Sequence, residues 1–365
     1  MAGGRLVLLA LAGASLVAGV LGGLARLGVP IAVPHAVVDH GALMTGGFLG
    51  TVISLERAIA LGKPYAYGAP LCAGVGAVLV LAGWREPGLL VSLAAPLFLL
   101  AAGIALVRRQ PLAHIKLLFV ASIAWLVGNA SNLFAAPPNA TAAWWFAFLV
   151  LTIAAERLEM TRLMRRPRIA SPLFAAAVAL VLAGALLALP MPAAGGVVYG
   201  AGLFAVAAWC LAFDLARRTL STEGFSRYAA VALLAGYAWL AFGGIAWAAM
   251  SAGNARWRDA ALHAVGLGFV ISMVLAHAPV VVPVIARRAM RYTPMLYLPL
   301  ALLHISLLVR IAGGPLAFAA REWGGILNAA ALLAFAGTLA WALVRTTRTA
   351  AGPAAPTRKT WRSRG

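Results

Sequence analysis

Residues 88–107 read GLLVSLAAPLFLLAAGIALV, twenty positions without a charge, closed by Arg85-Glu86-Pro87 on one side and Arg108-Arg109-Gln110-Pro111 on the other. At about 1.5 Å per residue a helix of this length covers about 30 Å, the hydrocarbon thickness of a bilayer. The pattern continues outward in both directions. Twelve apolar segments succeed one another, at about 6–27, 35–60, 65–84, 88–107, 114–135, 142–163, 170–190, 194–216, 227–251, 259–286, 294–313 and 323–344. Gly, Pro and Arg punctuate them, as in Gly62-Lys63-Pro64, Pro137-Pro138-Asn139 and Arg165-Arg166-Pro167-Arg168. Arg5 and the run after it resemble a signal peptide, but no small-residue cleavage site follows, so the run reads as a first span. The sequence therefore predicts an all-α polytopic membrane bundle of about twelve transmembrane helices. Residues 1–344 form one integral membrane domain, and the basic tail 345–365 is expected to be disordered and cytoplasmic.

Composition agrees. Of 365 residues 63% are hydrophobic and 10% charged, with a mean hydropathy of +0.95. Soluble domains carry about 25% charged residues, so this chain cannot cover a water-facing surface and a soluble enzyme is excluded. The lipid bilayer is the expected partner. A net charge of +20 would suit nucleic acid, but the basic residues sit in short connections rather than in a stripe with stacking aromatics, and no nucleic-acid partner is expected. With a cytoplasmic N-terminus, 23 of the 29 Lys and Arg fall on the cytoplasmic side. The other face keeps Arg26, Arg85, Arg256, Arg258, Arg310 and Arg321. That bias is the positive-inside rule, and it predicts a bacterial inner-membrane protein with both termini in the cytoplasm. Trp84, Trp144, Trp145, Trp257 and Trp323 fall at the opposite boundary and are predicted to form an interfacial belt. Cys72 and Cys210 lie inside apolar runs and read as small buried hydrophobes.

Ionisable groups inside a bilayer are costly and mark candidate sites. Span 2 opens with His35-Ala-Val-Val-Asp39-His40 and span 10 with Asp259-Ala-Ala-Leu-His263; both run inward, so His40 and His263 share a shallow depth on the non-cytoplasmic side. His35 lies about 140° round the helix from His40 and cannot face the same partner. Below His40 come Met44, Gly47 and Thr51, and below His263 come Gly266 and Val270. Small residues admit a flat macrocycle or a neighbouring helix. The two imidazoles either clamp a metal centre, most naturally haem iron, or sit at the interface beside Asp39 and Asp259 as helix-start acids. A ligating imidazole needs an acceptor for its second nitrogen, and Asp39, Asn129 and Asn132 are the candidates. No Cys-x-x-Cys-His occurs, so any haem would be of the non-covalent b type.

A second group lies in the cytoplasmic half: His277 of span 10, His304 of span 11, Glu56 at the end of span 2, and Glu156 and Glu159 of span 6. His277 and His304 are predicted to come within side-chain reach. Pro279 and Pro283 are predicted to bend span 10 around a cavity. The group reads as a second metal site, a proton path or a polar substrate site. It also reads as plain hydrogen bonding, with the Glu side chains paired to Arg157 and Arg162. His114 is expected at the interface. Ile53-Ser-Leu-Glu56-Arg57 is echoed by Ile153-Ala-Ala-Glu156-Arg157, and Val52-Ile-Ser-Leu by Val270-Ile-Ser-Met273. Spans 2, 6 and 10 are four apart, which suggests three four-helix repeats.

The run Ala261-Leu-His263-Ala-Val-Gly-Leu-Gly268-Phe-Val-Ile-Ser-Met273-Val-Leu275-Ala resembles span 10 of the NnrS family of membrane proteins. Leu307-Leu-Val-Arg310-Ile-Ala, with Trp323 and Asn328 beyond it, is similar to that family's closing pair of helices, and His40 with Met44, Gly47 and Phe48 is similar to its second span. Span 2 departs from the family's His-x-His-Glu-Met-like cluster, reading Val38-Asp39-His40-Gly41-Ala42-Leu43-Met44 without the Glu. The resemblance implies a twelve-span bundle that binds haem and copper and protects against nitric oxide. It also implies distant kinship with the haem–copper oxidase catalytic subunit, which ligates haem from spans 2 and 10. On that basis His40 and His263 are the expected ligands of haem b, while His277 and His304 are further candidate metal ligands from their depth alone. No His occurs between His114 and His263, so the three-histidine copper centre of an oxidase is not implied. The rival class is a proton-coupled transporter of a small solute, with Glu56, Glu156 and Glu159 on the proton path.

Overall fold

The computed structural model describes residues 2–350 apart from 163 and 315. Helices dominate, and no strand forms among the described residues. In chain order the bundle contains α1 (Ala2–Arg26), the composite α2 (34–61), α3 (Gly68–Leu81), α4 (Arg85–Arg109), α5 (Ala113–Leu133) and α6 (Pro138–Met160). It continues with α7 (Ala170–Leu187), α8 (Pro192–Phe213), α9 (Gly224–Ser251), the composite α10 (258–286), α11 (Tyr297–Gly313) and α12 (Phe318–Ala350). Among the described residues, eleven helices are long and apolar enough to cross a membrane. The remaining segment, α2, is assembled from Pro34–Val38, His40–Ala42, Leu43–Gly50 and Thr51–Leu61. The chain is an all-α polytopic bundle. Helix α12 carries on through Ala350, and the tail beyond it lies outside the described residues.

Two helices contain the same irregularity. Leu43–Gly50 in α2 and Ala264–Ile271 in α10 are π-helical, each eight residues long. Wider i→i+5 turns are rare and concentrate at functional sites. The first begins three residues after His40 and the second immediately after His263, the two histidines singled out above. Helix α6, the third of the proposed repeat set, runs as uninterrupted α-helix. Glycine permits the close packing here: a Cβ on Gly50 would lie 2.4 Å from the Trp125 ring, and one on Gly268 2.5 Å from Trp239. Gly62, at φ +67°, takes the left-handed turn that ends α2.

Neighbours in sequence pack as neighbours in space: α3 on α4, α4 on α5, α5 on α6, α7 on α8, α8 on α9, α9 on α10 and α11 on α12. Helix α1 closes the assembly by touching α10 and α12 as well as α2. Helix α6 contacts α2 and α10 and is the most buried of the eleven candidate spans among the described residues. Small residues bring backbones together where apolar burial gives no drive between lipid-bathed helices. At the α8–α9 crossing a Cβ on Gly200 would stand 2.4 Å from the Gly244 carbonyl oxygen. Large apolar side chains such as Leu90, Leu97, Leu298 and Ile305 remain on the outside, where lipid replaces water as the solvent.

Several polar side chains settle differently from expectation. Arg157 forks onto Asp214, with Nε to Oδ2 at 2.9 Å and Nη2 to Oδ1 at 3.3 Å, and so ties α6 to the end of α8 instead of pairing with a glutamate of its own helix. Asp214 also accepts from the Ala216 amide at 2.7 Å. His114 is buried, with Nε2 3.9 Å from Glu159. Trp84 and Trp323 are exposed as a belt requires, but Trp144 and Trp145 turn into the bundle. The reason for Trp145 is a partner: its indole donates to Asn129 Oδ1 at 3.0 Å, and a buried indole N–H seeks one.

Candidate functional site

At the end of the bundle that the charge bias assigns to the non-cytoplasmic side, a cavity of about 920 Å3 opens between α1, α2, α6, α10, α11 and α12. This is the upper range for small-molecule and cofactor sites, about 300–1,000 Å3. His40 and His263 both line it. They arrive on different helices and are close enough to act electrostatically on one another. The equal depth read from the sequence thus becomes a shared site.

Each ring is anchored through the same atom. His40 Nδ1 lies 2.6 Å from the carbonyl oxygen of Gly19 on α1, and His263 Nδ1 lies 3.0 Å from its own helix's Asp259 carbonyl. A carbonyl can only accept, so Nδ1 carries a proton in both rings, and in the neutral imidazole Nε2 keeps its lone pair. Asp259 adds its carboxylate to His263, with Oδ1 3.1 Å from Nδ1. A carbonyl or carboxylate on the far nitrogen is what orients an imidazole for ligation. None of the three acceptors named from sequence holds His40. Asp39 is taken by Arg85, while Asn129 accepts from Trp145 and donates to the Ser92 carbonyl at 2.8 Å. Gly19 was invisible to sequence reasoning because it is a backbone acceptor on another helix. His35 stands apart, near Gly83 at the start of the α3–α4 turn.

The surrounding charge is the second feature. All six arginines that the sequence leaves on this face line the cavity: Arg26, Arg85, Arg256, Arg258, Arg310 and Arg321. Asp39 and Asp259 are the only carboxylates in its wall among the described residues, so six positive against two negative leaves a surplus of four. Both acids are forked. Arg85 reaches Asp39 from Nε at 3.0 Å and from Nη2 at 3.0 Å; Arg310 reaches Asp259 from Nε at 2.9 Å and from Nη2 at 2.8 Å, and Arg321 adds a third contact at 3.1 Å. Arg258 donates to Asn139 at 3.1 Å and sits within electrostatic range of Arg26 and Arg321, which repel it. The signal for these residues was present in the sequence, since arginines that defy the positive-inside bias ask for a local reason. Ala135, at the rim between α5 and α6, adopts φ +52°, a strained angle for a residue with a Cβ, and such strain gathers at functional sites.

The group at the opposite end of the bundle is a separate set. Arg57 pairs with Glu156 across α2 and α6. Glu56 lies within electrostatic reach of Glu156, Arg57, His277 and Glu159. His277 holds its Nδ1 against the Met273 carbonyl at 2.7 Å. Trp239 of α9 donates its indole N–H to His304 Nδ1 at 3.0 Å, which places the proton of the neutral His304 ring on Nε2. Among the described residues no three His, Cys, Asp or Glu side chains gather as a cage for a metal ion. What the outer cavity offers is a pair of imidazoles with free Nε2 atoms, which suits a centre that brings its own equatorial ligands.

A family model described as Domain of unknown function (DUF8744) matches residues 5–344, so the chain belongs to that family. No curated protein and no solved structure matches the chain.

Proposed function

We propose that this member of the DUF8744 family holds a b-type haem between His40 and His263 at the non-cytoplasmic end of a bacterial inner-membrane bundle whose termini are both cytoplasmic. The observation that carries the reading is the pair of imidazoles from α2 and α10 in one cavity, each with Nδ1 fixed and Nε2 available. The residues present suit the group. The volume is of cofactor size, Gly23, Gly41, Gly266 and Gly325 thin the walls for a flat ring, and the guanidinium surplus would neutralise the carboxylates of a macrocycle. Haem iron held by two imidazoles supplies one-electron exchange and responds to diatomic gases. The chain's own part is to orient the rings through Gly19 and Asp259, hold the anionic edge with arginine, and exclude water with Leu262, Leu267 and Leu332. Together with the NnrS resemblance this supports a role in nitrosative stress or membrane redox chemistry, with copper as the second metal that the resemblance implies.

The test is the absorption spectrum of the purified protein and its pyridine haemochrome. A low-spin Soret band is expected in the wild type, lost in His40→Ala and in His263→Ala, and retained in His35→Ala. A colourless protein, or two histidine variants with unchanged spectra, would remove the reading.

A second reading has its own observation. Helices α2, α6 and α10 line the cationic cavity at one end and carry Glu56, Glu156, Glu159 and His277 at the other. That arrangement suits a proton-coupled carrier of a small organic anion. Such a protein would be colourless, would bind an anionic solute without any metal, and would lose transport when Glu56 is replaced by Gln.

A further inference from the structure

Beside the large cavity lies a second void of about 20 Å3, and Ala42, Asn132 and Trp145 line both. It is roofed by the π-helical stretch of α2 through Leu43, Gly46 and Gly47, and closed by α3, α4 and α5. A space above about 10–15 Å3 is large enough for one water molecule. Trp125 forms part of its wall, is 0% exposed, and stacks on Phe148 with ring centroids 4.8 Å apart. Among the described residues its indole N–H has no hydrogen-bond partner. A Cβ added at Gly46 would meet one neighbour only, this same Nε1 at 3.9 Å, so the indole nitrogen and the Gly46 backbone face each other across open space.

A buried donor without an acceptor is costly, and native structures seldom carry one without a reason. The wall also contains Asn129, whose Oδ1 accepts from Trp145 and retains a second lone pair. No charged side chain lines the void, so an ion placed there would be uncompensated. The volume excludes anything beyond two or three heavy atoms.

We propose that this side pocket binds one small uncharged hydrogen-bond acceptor, water or a diatomic gas, held by the Trp125 indole N–H at a branch of the large cavity. The π-helical turn creates the space, and the glycine at 46 keeps it open. Access is through the wall that Ala42, Asn132 and Trp145 share with the main chamber. The site needs no metal and stands whether the chamber holds haem or an organic anion.

Ultraviolet resonance Raman spectroscopy of the full-length protein tests it, because the indole N–H band reports hydrogen bonding. Subtracting Trp125→Phe isolates Trp125 from the other tryptophans. The expected result is a hydrogen-bonded indole in the wild type that becomes free in Gly46→Ala, whose methyl has room on the backbone and fills the pocket. Should Trp125→Phe fail to fold, the wild type minus Gly46→Ala difference gives the same answer. A bond present in degassed buffer identifies water as the occupant; one seen only after equilibration with carbon monoxide identifies a diatomic ligand. A wild-type indole that is free under both conditions, or an indole that stays bonded in Gly46→Ala, would overturn the proposal.

Discussion

Asp259 concentrates more consequence than any other side chain at the outer site, and Asp259→Asn is the substitution to make first. It keeps volume and removes one charge. Arg310, 9% exposed, loses both fork contacts at full strength, and the third contact from Arg321 weakens with them. Removing one partner of a buried ion pair costs about 3–5 kcal/mol, because the other charge stays behind. The adjoining cavity lets some solvent reach Arg310, so the lower end, about 3 kcal/mol, applies. For a chain of this length that corresponds to a fall in melting temperature of about 3–6 °C. The assay is thermal unfolding of the detergent-solubilised protein followed by intrinsic tryptophan fluorescence. The double variant Asp259→Asn with Arg310→Met should recover at least half of the loss, since an apolar isostere leaves no orphaned charge. A single variant melting within about 1 °C of wild type, or a double variant no better than the single, would refute the reasoning about burial. A separate readout concerns His263. Loss of the carboxylate on its Nδ1 should weaken haem retention about 10–100-fold even where the fold survives.

Other outcomes follow from the same geometry. A reporter active only in the cytoplasm should work when fused after Arg345 and fail when inserted at Pro137-Pro138; the opposite pattern would invert the assignment of the cavity to the outer face. Gly200→Val should destabilise the bundle by about 2 kcal/mol or more, read as a lower melting temperature, because its Cβ would meet the Gly244 carbonyl rather than a movable side chain. Arg157→Met should cost about 3 kcal/mol by leaving Asp214 buried and unpaired, and adding Asp214→Asn should restore part of it. Raising salt should weaken binding of an anionic probe at the exposed Arg26 and Arg256 while leaving the buried Arg157–Asp214 pair unaffected, as competition titrations and melting curves would show.

Much of this protein is legible from order along the chain alone. In hydrocarbon each apolar run must satisfy its own backbone, so helix number and length follow from one-dimensional hydropathy, and the eleven continuous spans lie where the apolar segments predict them. Depth is likewise a linear quantity, which is why His40 and His263 could be paired from their distance to the segment ends. Glu56, His277 and Glu156 were grouped by the same reckoning. The sequence cannot express what happens sideways. It does not show that Gly19 of α1 caps His40, that Trp145 turns inward to Asn129, or that Trp239 donates to His304. Nor does it show that six arginines scattered from position 26 to position 321 converge on one chamber. Those relations depend on which helices become neighbours and how each is rotated about its axis. Lipid solvates every apolar face alike, so rotation is decided by glycine contacts, the two π-helical stretches and a few ion pairs, all of which exist only once the helices have packed.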